Sequence, residues 1–128
     1  NVVNTNNSYG AISDEKLKEN IEDSGSQWDD IKSLRIRKFS MKEDKLGAPN
    51  KIGVIAQELE ASGMNGLVVD TPDVDNDLKN LGTVTKTVNY SILYMKAVKA
   101  LQEAMTRIEA LETKNDALEA RIKKLEDG

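Results

Sequence analysis

The chain has 128 residues, a formal net charge of −4 at pH 7, and neither cysteine nor histidine. A chain of this length holds one domain with a modest core, and the missing residue types exclude disulfides, thiolate metal sites and a histidine base. Acidic and basic residues are interspersed, which argues against nucleic acid as a partner, and no apolar run approaches the roughly 20 residues that span a bilayer. We therefore expect a soluble domain without a nucleic-acid partner, a membrane partner, a bound metal or a cofactor.

The start of the chain changes character after about a dozen residues. Residues 1–12 begin with a polar, asparagine-rich stretch, and we interpret them as an upstream remnant or a linker. From Ile12 to Asp23 a short helix or irregular turn is predicted, since Ser13 and Asp14 are both residue types that cap helices.

The middle of the chain predicts short strands and helices. The predicted elements are a helix over Trp28–Leu34, a helix over Ala56–Ala61, and strands within Leu34–Met41, Lys51–Ile55, Leu67–Val69 and Thr83–Val88. Acidic residues are concentrated from Asp70 to Asp77, which predicts an exposed loop. A calcium loop is the alternative, but the glycine turn and distal glutamate of an EF-hand are missing. The expected fold is a small mixed α+β body followed by a long helix.

The C-terminal stretch carries a heptad repeat. From Ser91 to Asp127 the chain has no proline or glycine, and Ser91 is a candidate helix cap. Residues at alternating spacings of three and four form an a/d seam. The seam residues are Leu101, Ala104, Ile108, Leu111, Asn115, Leu118, Ile122 and Leu125.

Charges flank this seam in a regular way. With Ile108 at position a, the basic residues at g are Arg107, Lys114 and Arg121, and the acidic residues at e one heptad later are Glu112, Glu119 and Glu126. Such g-to-e pairs form between parallel chains in register, so a parallel homo-oligomer is predicted. The alternative is a solvated single helix with pairs along its own surface.

The heptad chemistry leaves the number of strands open. Isoleucine at a with leucine at d favours two strands, whereas Asn115 at an a position fixes the register at a cost in stability. Val98 and Met105 add apolar surface at e positions. That wider stripe can cover a third helix or the globular body.

Three segments of the chain resemble the C-terminal intramolecular chaperone domain of phage endosialidases, tailspikes, tail fibres and neck appendages. They are Ser13–Ile21 (SDEKLKENI), Gly53–Leu59 (GVIAQEL) and Val88–Leu101 (VNYSILYMKAVKAL). The resemblance implies a parallel homotrimer that aligns an upstream fibre of the same chain during virion assembly in the host cytoplasm. Self-cleavage then releases the domain.

Under this resemblance, residues 1–12 are the remnant of the upstream fibre or a linker. Residues 13–90 are then the globular chaperone body, and residues 91–128 are the coiled-coil helix.

The resemblance also implies that Ser13 is a nucleophile and Lys18 its base. A serine needs a proton acceptor, and without histidine a lysine with a lowered pKa is the natural candidate. A separation of five residues is an offset of about 140° on a regular helix, so a turn or a partner chain has to bring the pair together. Lys16 is the competing base, and Asp14 and Asn20 are candidates to orient the lysine or the peptide. The competing structural interpretation makes Ser13 a helix cap and Lys18 a surface charge.

Ring size favours a cut at Ile12–Ser13. The Ser13 hydroxyl reaches the carbonyl of Ile12 through a five-membered ring, whereas its own carbonyl requires a strained four-membered ring. Attack from a neighbouring chain could instead place the cut after Ser13. An ester at Ser13 forms first in this scheme and is then hydrolysed. The alternative functions are a structural coiled-coil trimerisation domain that is never cleaved and a binding module for a cellular partner.

The second motif has a structural and a functional interpretation. In the structural one, Val54 and Ile55 enter the core while Gln57 and Glu58 begin a helix. In the functional one, Gln57 and Glu58 hold neighbouring chains or contact the fibre.

Overall fold

The computed structural model describes residues 11–44 and 47–128, so most of the predicted segment 1–12 lies outside the described residues. The helices are α1 (Trp28–Ser33), α2 (Ala56–Ala61) and α3 (Tyr90–Asp127), and the strands are β1 (Arg37–Phe39), β2 (Lys51–Gly53), β3 (Val68–Val74) and β4 (Asn80–Val88). Short 3-10 helices lie at Glu15–Leu17 and Asn65–Leu67. β1 pairs with β2 and β3 with β4, each pair antiparallel. The α+β prediction with a long C-terminal helix is confirmed.

The core lies where α2 and the start of α3 meet. Its buried side chains are Val54, Leu59, Met64, Leu67 and Leu93, with Ile31, Leu34, Val68 and Val88 packed against them. Leu59 is the most completely covered, with 2% of its surface exposed. The second motif therefore supplies two members of this cluster, Val54 just before α2 and Leu59 within α2.

α2 has the predicted bounds, and its end is defined by a glycine. Gly63 follows the helix with φ of +85°, a left-handed conformation that glycine adopts without strain. The N–H of Gly63 donates to the carbonyl of Glu60, and the N–H of Met64 donates to the carbonyl of Leu59. These bonds satisfy carbonyls at the helix end and turn Met64 into the core.

The predicted exposed loop from Asp70 to Asp77 is wrong for its first part, because β3 continues through Val74, whereas the chain turns from Asp75 to Asp77 and most of these residues are exposed. Pro72 is tolerated because the pairing shifts register between Pro72 and Val74, where a bulge removes the need for a regular ladder. Asp73 accepts hydrogen bonds of 2.6 Å from the hydroxyls of both Thr83 and Thr85 on β4.

The two hydrogen bonds to Asp73 hold its pKa below the ordinary value. The bond from Thr83 is the larger cause and the bond from Thr85 is the next. The side chain of Asp75 accepts from the N–H groups of Asp77 and Lys79 and closes the turn. Two carboxylates of the calcium alternative, those of Asp73 and Asp75, are thus internal acceptors of a hairpin. Within residues 11–44 and 47–128, no cluster of three or more histidine, cysteine, aspartate or glutamate side chains could hold a metal ion.

α3 is one continuous helix of 38 residues. Ser91, the predicted cap, lies inside the first turn and donates to Oδ1 of Asn89, which is the residue at the N-cap position. Leu93 and Ala100 are the buried residues of α3, and every residue from Met105 to the end is exposed. The body therefore covers one side of the first half of α3. Across the part of the chain that the structure describes, no helix is long and apolar enough to cross a membrane.

Candidate functional site

The side chains of Ser13 and Lys18 lie in direct contact. The Lys18 amine donates to the Ser13 hydroxyl, with 2.6 Å between Nζ and Oγ. Lys16, the competing base, lies 3.9 Å from the Asp14 carboxylate. The structure thus brings together the serine and the lysine that the first motif singles out.

A single tight turn overcomes the offset expected for a regular helix. Asp14 is the N-cap of the 3-10 helix Glu15–Leu17, and its Oδ1 accepts from the N–H of Lys16 at 3.0 Å. The backbone is extended at both Asp14 and Lys18. Because a 3-10 helix has three residues per turn, one turn between two extended residues returns the Lys18 side chain toward Ser13. The helix cap is therefore Asp14 rather than Ser13.

Asp14 and Asn20 shape the backbone on the two sides of the pair. The Asp14 carboxylate is engaged in the turn, through the Lys16 N–H and the Lys16 amine. Asn20 has φ of +53°, a left-handed conformation that asparagine tolerates better than most residues. Both features fix the path of the chain around Lys18.

The segment that carries this pair is not covered by the other residues that the structure describes. Every residue from Ala11 to Ser26 is exposed, and the exposed apolar side chains include Ile12, Leu17 and Ile21, with Ile12 exposed to 83%. The Ile12–Ser13 peptide is therefore open to water. Desolvation of the lysine and burial of the three aliphatic side chains both require a surface beyond this segment.

Glu58 of the second motif acts within the chain. Its carboxylate accepts from Nε of Arg37 at 3.0 Å and lies 3.7 Å from the Arg35 guanidinium. The hydrogen bond from Arg37 holds the pKa of Glu58 below its ordinary value, and the same bond raises the pKa of Arg37. Glu58 thus ties α2 to β1, while Gln57 is exposed at the start of α2.

The seam residues of α3 form an exposed apolar stripe. Leu101, Ile108, Leu111, Leu118, Ile122 and Leu125 are exposed to between 45% and 79%. At the polar a position, Asn115 donates from Nδ2 to Oε1 of Glu119 at 3.2 Å, within the same helix. The stripe offers an apolar surface to another chain.

A strap of body residues, Gln27 to Asp30, crosses the side of α3, and the sequence patterns did not predict it. The Lys96 amine donates to Oε1 of Gln27 at 2.7 Å and to Oδ2 of Asp30 at 2.9 Å. Two turns later in α3, Glu103 accepts from the N–H of Gln27 at 3.2 Å. Lys96, Glu103 and Arg107 lie on one side of α3 beside the seam, and their spacing is the pattern in the sequence that could have indicated a contact there.

Two further features belong to the strap. The Arg107 guanidinium lies 3.7 Å from the centroid of the Trp28 ring, a cation–π contact. Hydrogen bonds from Ser26 and from the N–H of Gln27 hold the pKa of Glu103 below its ordinary value, the Ser26 bond being the larger cause. The strap is therefore fixed at both ends by charged residues of α3.

Comparison with known families gives a match for part of the chain. Residues 13–68 match the model of a peptidase family described as chaperone of endosialidase. The match includes the first two motifs and the Ser13–Lys18 pair, and it ends before the third motif. No curated protein matches the chain. The resemblance predicted from the sequence is confirmed over the matched residues.

Proposed function

We infer, from the match of residues 13–68 to the chaperone-of-endosialidase family model, that this chain is the intramolecular chaperone of an upstream phage fibre or tailspike. It assembles as a parallel homotrimer in the host cytoplasm, aligns the fibre chains, and releases itself by one cut in its own chain. The observation that carries the inference is the 2.6 Å contact between Ser13 and Lys18 inside the matched region. A serine and a lysine at this distance are the components of a self-cleaving dyad.

The proposed cut is at Ile12–Ser13. Neutral Lys18 accepts the hydroxyl proton of Ser13 while Oγ attacks the carbonyl carbon of Ile12. The C–N bond of the peptide breaks, the Ser13 nitrogen takes a proton, and an ester joins the Ile12 carbonyl to Oγ. Water then hydrolyses the ester and leaves a carboxylate on Ile12 and a free amine on Ser13.

Exposure of the segment supports a requirement for assembly before the cut. A lysine acts as a base only where desolvation or a neighbouring cation favours its neutral form. In the single chain Lys18 and the residues around it are exposed, so the required cover has to come from other copies or from the upstream fibre. Cleavage then reports that the trimer has formed.

The exposed stripe of α3 supports the parallel arrangement. Apolar residues at a and d need a partner helix, and the basic g and acidic e positions match best between parallel chains. The family context supports three chains, which the heptad chemistry leaves open.

The test is the mass of the full precursor, including its upstream segment, after expression. The wild-type chain is expected to yield a product that begins at Ser13, and Ser13→Ala is expected to stay intact. Lys18→Arg keeps the positive charge but cannot accept the proton, so it is expected to trimerise without cleavage. Lys16→Arg is the matched control and is expected to cleave.

The outcomes separate the alternatives. Cleavage of Lys18→Arg would place the base elsewhere, with Lys16 as the first candidate, and a product that begins at Asp14 would indicate attack from a neighbouring chain. A wild-type trimer that stays intact would instead support the second candidate, a trimerisation domain that is never cleaved. The exposed seam of α3 favours that function independently of Ser13.

A further inference from the structure

The body of this chain occupies one particular edge of α3. In the heptad frame with Ile108 at position a, the two buried residues of α3, Leu93 and Ala100, are both at position g. The next g residue is Arg107, which stacks on Trp28. The body therefore covers the g edge as far as Arg107, and the g edge is uncovered beyond it.

The opposite edge of the seam changes chemistry at the same level. The e residues are apolar in the first half of α3, where Val98 and Met105 are exposed to 45% and 53%. They are acidic in the second half, at Glu112, Glu119 and Glu126. The acidic half lies level with the uncovered basic g residues, and the apolar half lies level with the body.

In a parallel coiled coil, the apolar e residues of one chain are brought next to the body of the neighbouring chain. In a parallel coiled coil the g edge of one chain lies against the e edge of the next chain. An uncovered g lysine or arginine therefore meets a glutamate. In the first half of α3 the g edge is already covered, so the e edge of the next chain meets the body that covers it.

We propose that the body of one copy packs on Val98 and Met105 of the neighbouring copy, through the side of α1 that carries Trp28. This contact rests on the proposed parallel assembly and adds a second surface to it. Each body is then held between two helices, its own α3 and that of its neighbour. The chemistry fits because exposed apolar side chains meet a half-buried aromatic ring rather than a charge.

Arg107 lies where the proposed contact between a body and the neighbouring helix ends and the charged g-to-e pairs begin. Its guanidinium face lies on the Trp28 ring, and the N–H groups at the edge of a guanidinium can still donate to a carboxylate. The g-to-e register brings Glu112 of the neighbouring copy to this level. Arg107 thereby links the body contact to the first charged pair of the coiled coil.

The test compares two methionine substitutions on the same helix, in the full chain. Met105→Glu places a charge at the proposed contact, whereas Met95→Glu places the same charge at a b position, which faces away from the seam and is 67% exposed. Met105→Glu is expected to weaken association by about tenfold or more, because a buried unpaired carboxylate is costly. Met95→Glu is expected to change it by less than about twofold. Sedimentation equilibrium measures both.

Trp28 is the one tryptophan of the chain, so its emission reports on the contact directly. Assembly of the wild-type chain is expected to shift the emission to shorter wavelength as the ring is covered, and Val98→Glu is expected to reduce that shift, as Met105→Glu does. Val98→Glu serves as a second variant, at a position that is 45% exposed in the single chain.

The readouts distinguish failure of this contact from failure of the proposed function. A wild-type oligomer that Met105→Glu and Met95→Glu affect equally would overturn the contact and leave the parallel assembly standing. Unchanged Trp28 emission on assembly would also overturn it, since Met105 then packs on a neighbouring helix and not on a body. A wild-type chain that remains monomeric would overturn both.

Discussion

The segment from Ala11 to Ser26 and the rest of the body, residues 27–90, are held by different forces. The body buries an apolar cluster around Leu59 and ties its elements together with ion pairs such as Glu58 with Arg37. Apart from the bond of Ser26 to Glu103, the bonds that the structure describes in this segment join near neighbours, among them the Asp14 cap, the 3-10 turn and the Ser13–Lys18 contact. In this protein the proposed chemistry and the stability of the single chain thus depend on different residues.

This separation has a physical reason in the proposed function. A site that is complete in a single chain would act before assembly, whereas a segment without cover can act only after other surfaces have closed over it. Elements that rearrange are also commonly found in the regions of a protein that have low local stability. Substitutions in the core of the body should therefore affect folding, whereas substitutions in the segment from Ala11 to Ser26 should affect cleavage.

The largest expected difference is between two leucines. Leu59→Ala removes a buried side chain of the core and is expected to lower the free energy of unfolding by about 3 kcal/mol. Leu17→Ala, in the exposed segment, is expected to change it by less than about 0.5 kcal/mol. Urea unfolding at concentrations where the chain is monomeric measures both. Equal effects would show that the segment packs on the body.

A smaller difference is expected between two glycines. A Cβ at Gly53 would lie 3.0 Å from the Tyr90 hydroxyl and 3.3 Å from the Phe39 ring, whereas one at Gly25 meets nothing within 4 Å. Gly53→Ala is expected to destabilise the body by about 1–3 kcal/mol through overpacking. Gly25→Ala is expected to be neutral or stabilising by up to about 1 kcal/mol. Thermal unfolding of the two variants checks this, and a neutral Gly53→Ala would mean that Tyr90 moves aside freely.

The smallest expected effect is an acid dependence of the body. Glu58 and Glu103 have pKa values below the ordinary 4.5. Their contribution to stability is therefore complete above pH 4.5 and is lost as the pH falls through their lower folded values. The urea midpoint should decline in that range, and Glu103→Gln should reduce the decline. Glu15→Gln, in the exposed segment, is the control, and a decline unaltered by Glu103→Gln would mean that the strap does not depend on that charge.

Local patterns predicted the regular elements well. α2 has the predicted bounds because an apolar strand precedes it and a Ser-Gly pair follows it, and α3 extends as far as the heptads do. β3 was underestimated, since Pro72 and the acidic residues favour a loop locally. The hydroxyls of Thr83 and Thr85 reverse this preference by binding Asp73 across the hairpin.

The candidate site could be named from the sequence but not built from it. The first motif identifies Ser13 and Lys18, yet a spacing of five residues gives no distance until the Asp14 cap and the turn are known. The contact of Trp28 with Arg107 joins residues far apart in the chain, and no local pattern encodes it. The missing information was the local backbone geometry for the Ser13–Lys18 pair and long-range packing for the contact of Trp28 with Arg107.

The length of α3 has a consequence for the dimensions of the assembled particle. A helix of 38 residues rises about 57 Å, and the stretch beyond Arg107 accounts for about 30 Å of that. Copies that join side by side in parallel make a thicker rod of the same length, with all bodies at one end. An antiparallel pair would place bodies at both ends and lengthen the particle. The maximum dimension seen by small-angle scattering is thus nearly independent of the number of parallel chains, while the cross-section grows with each one.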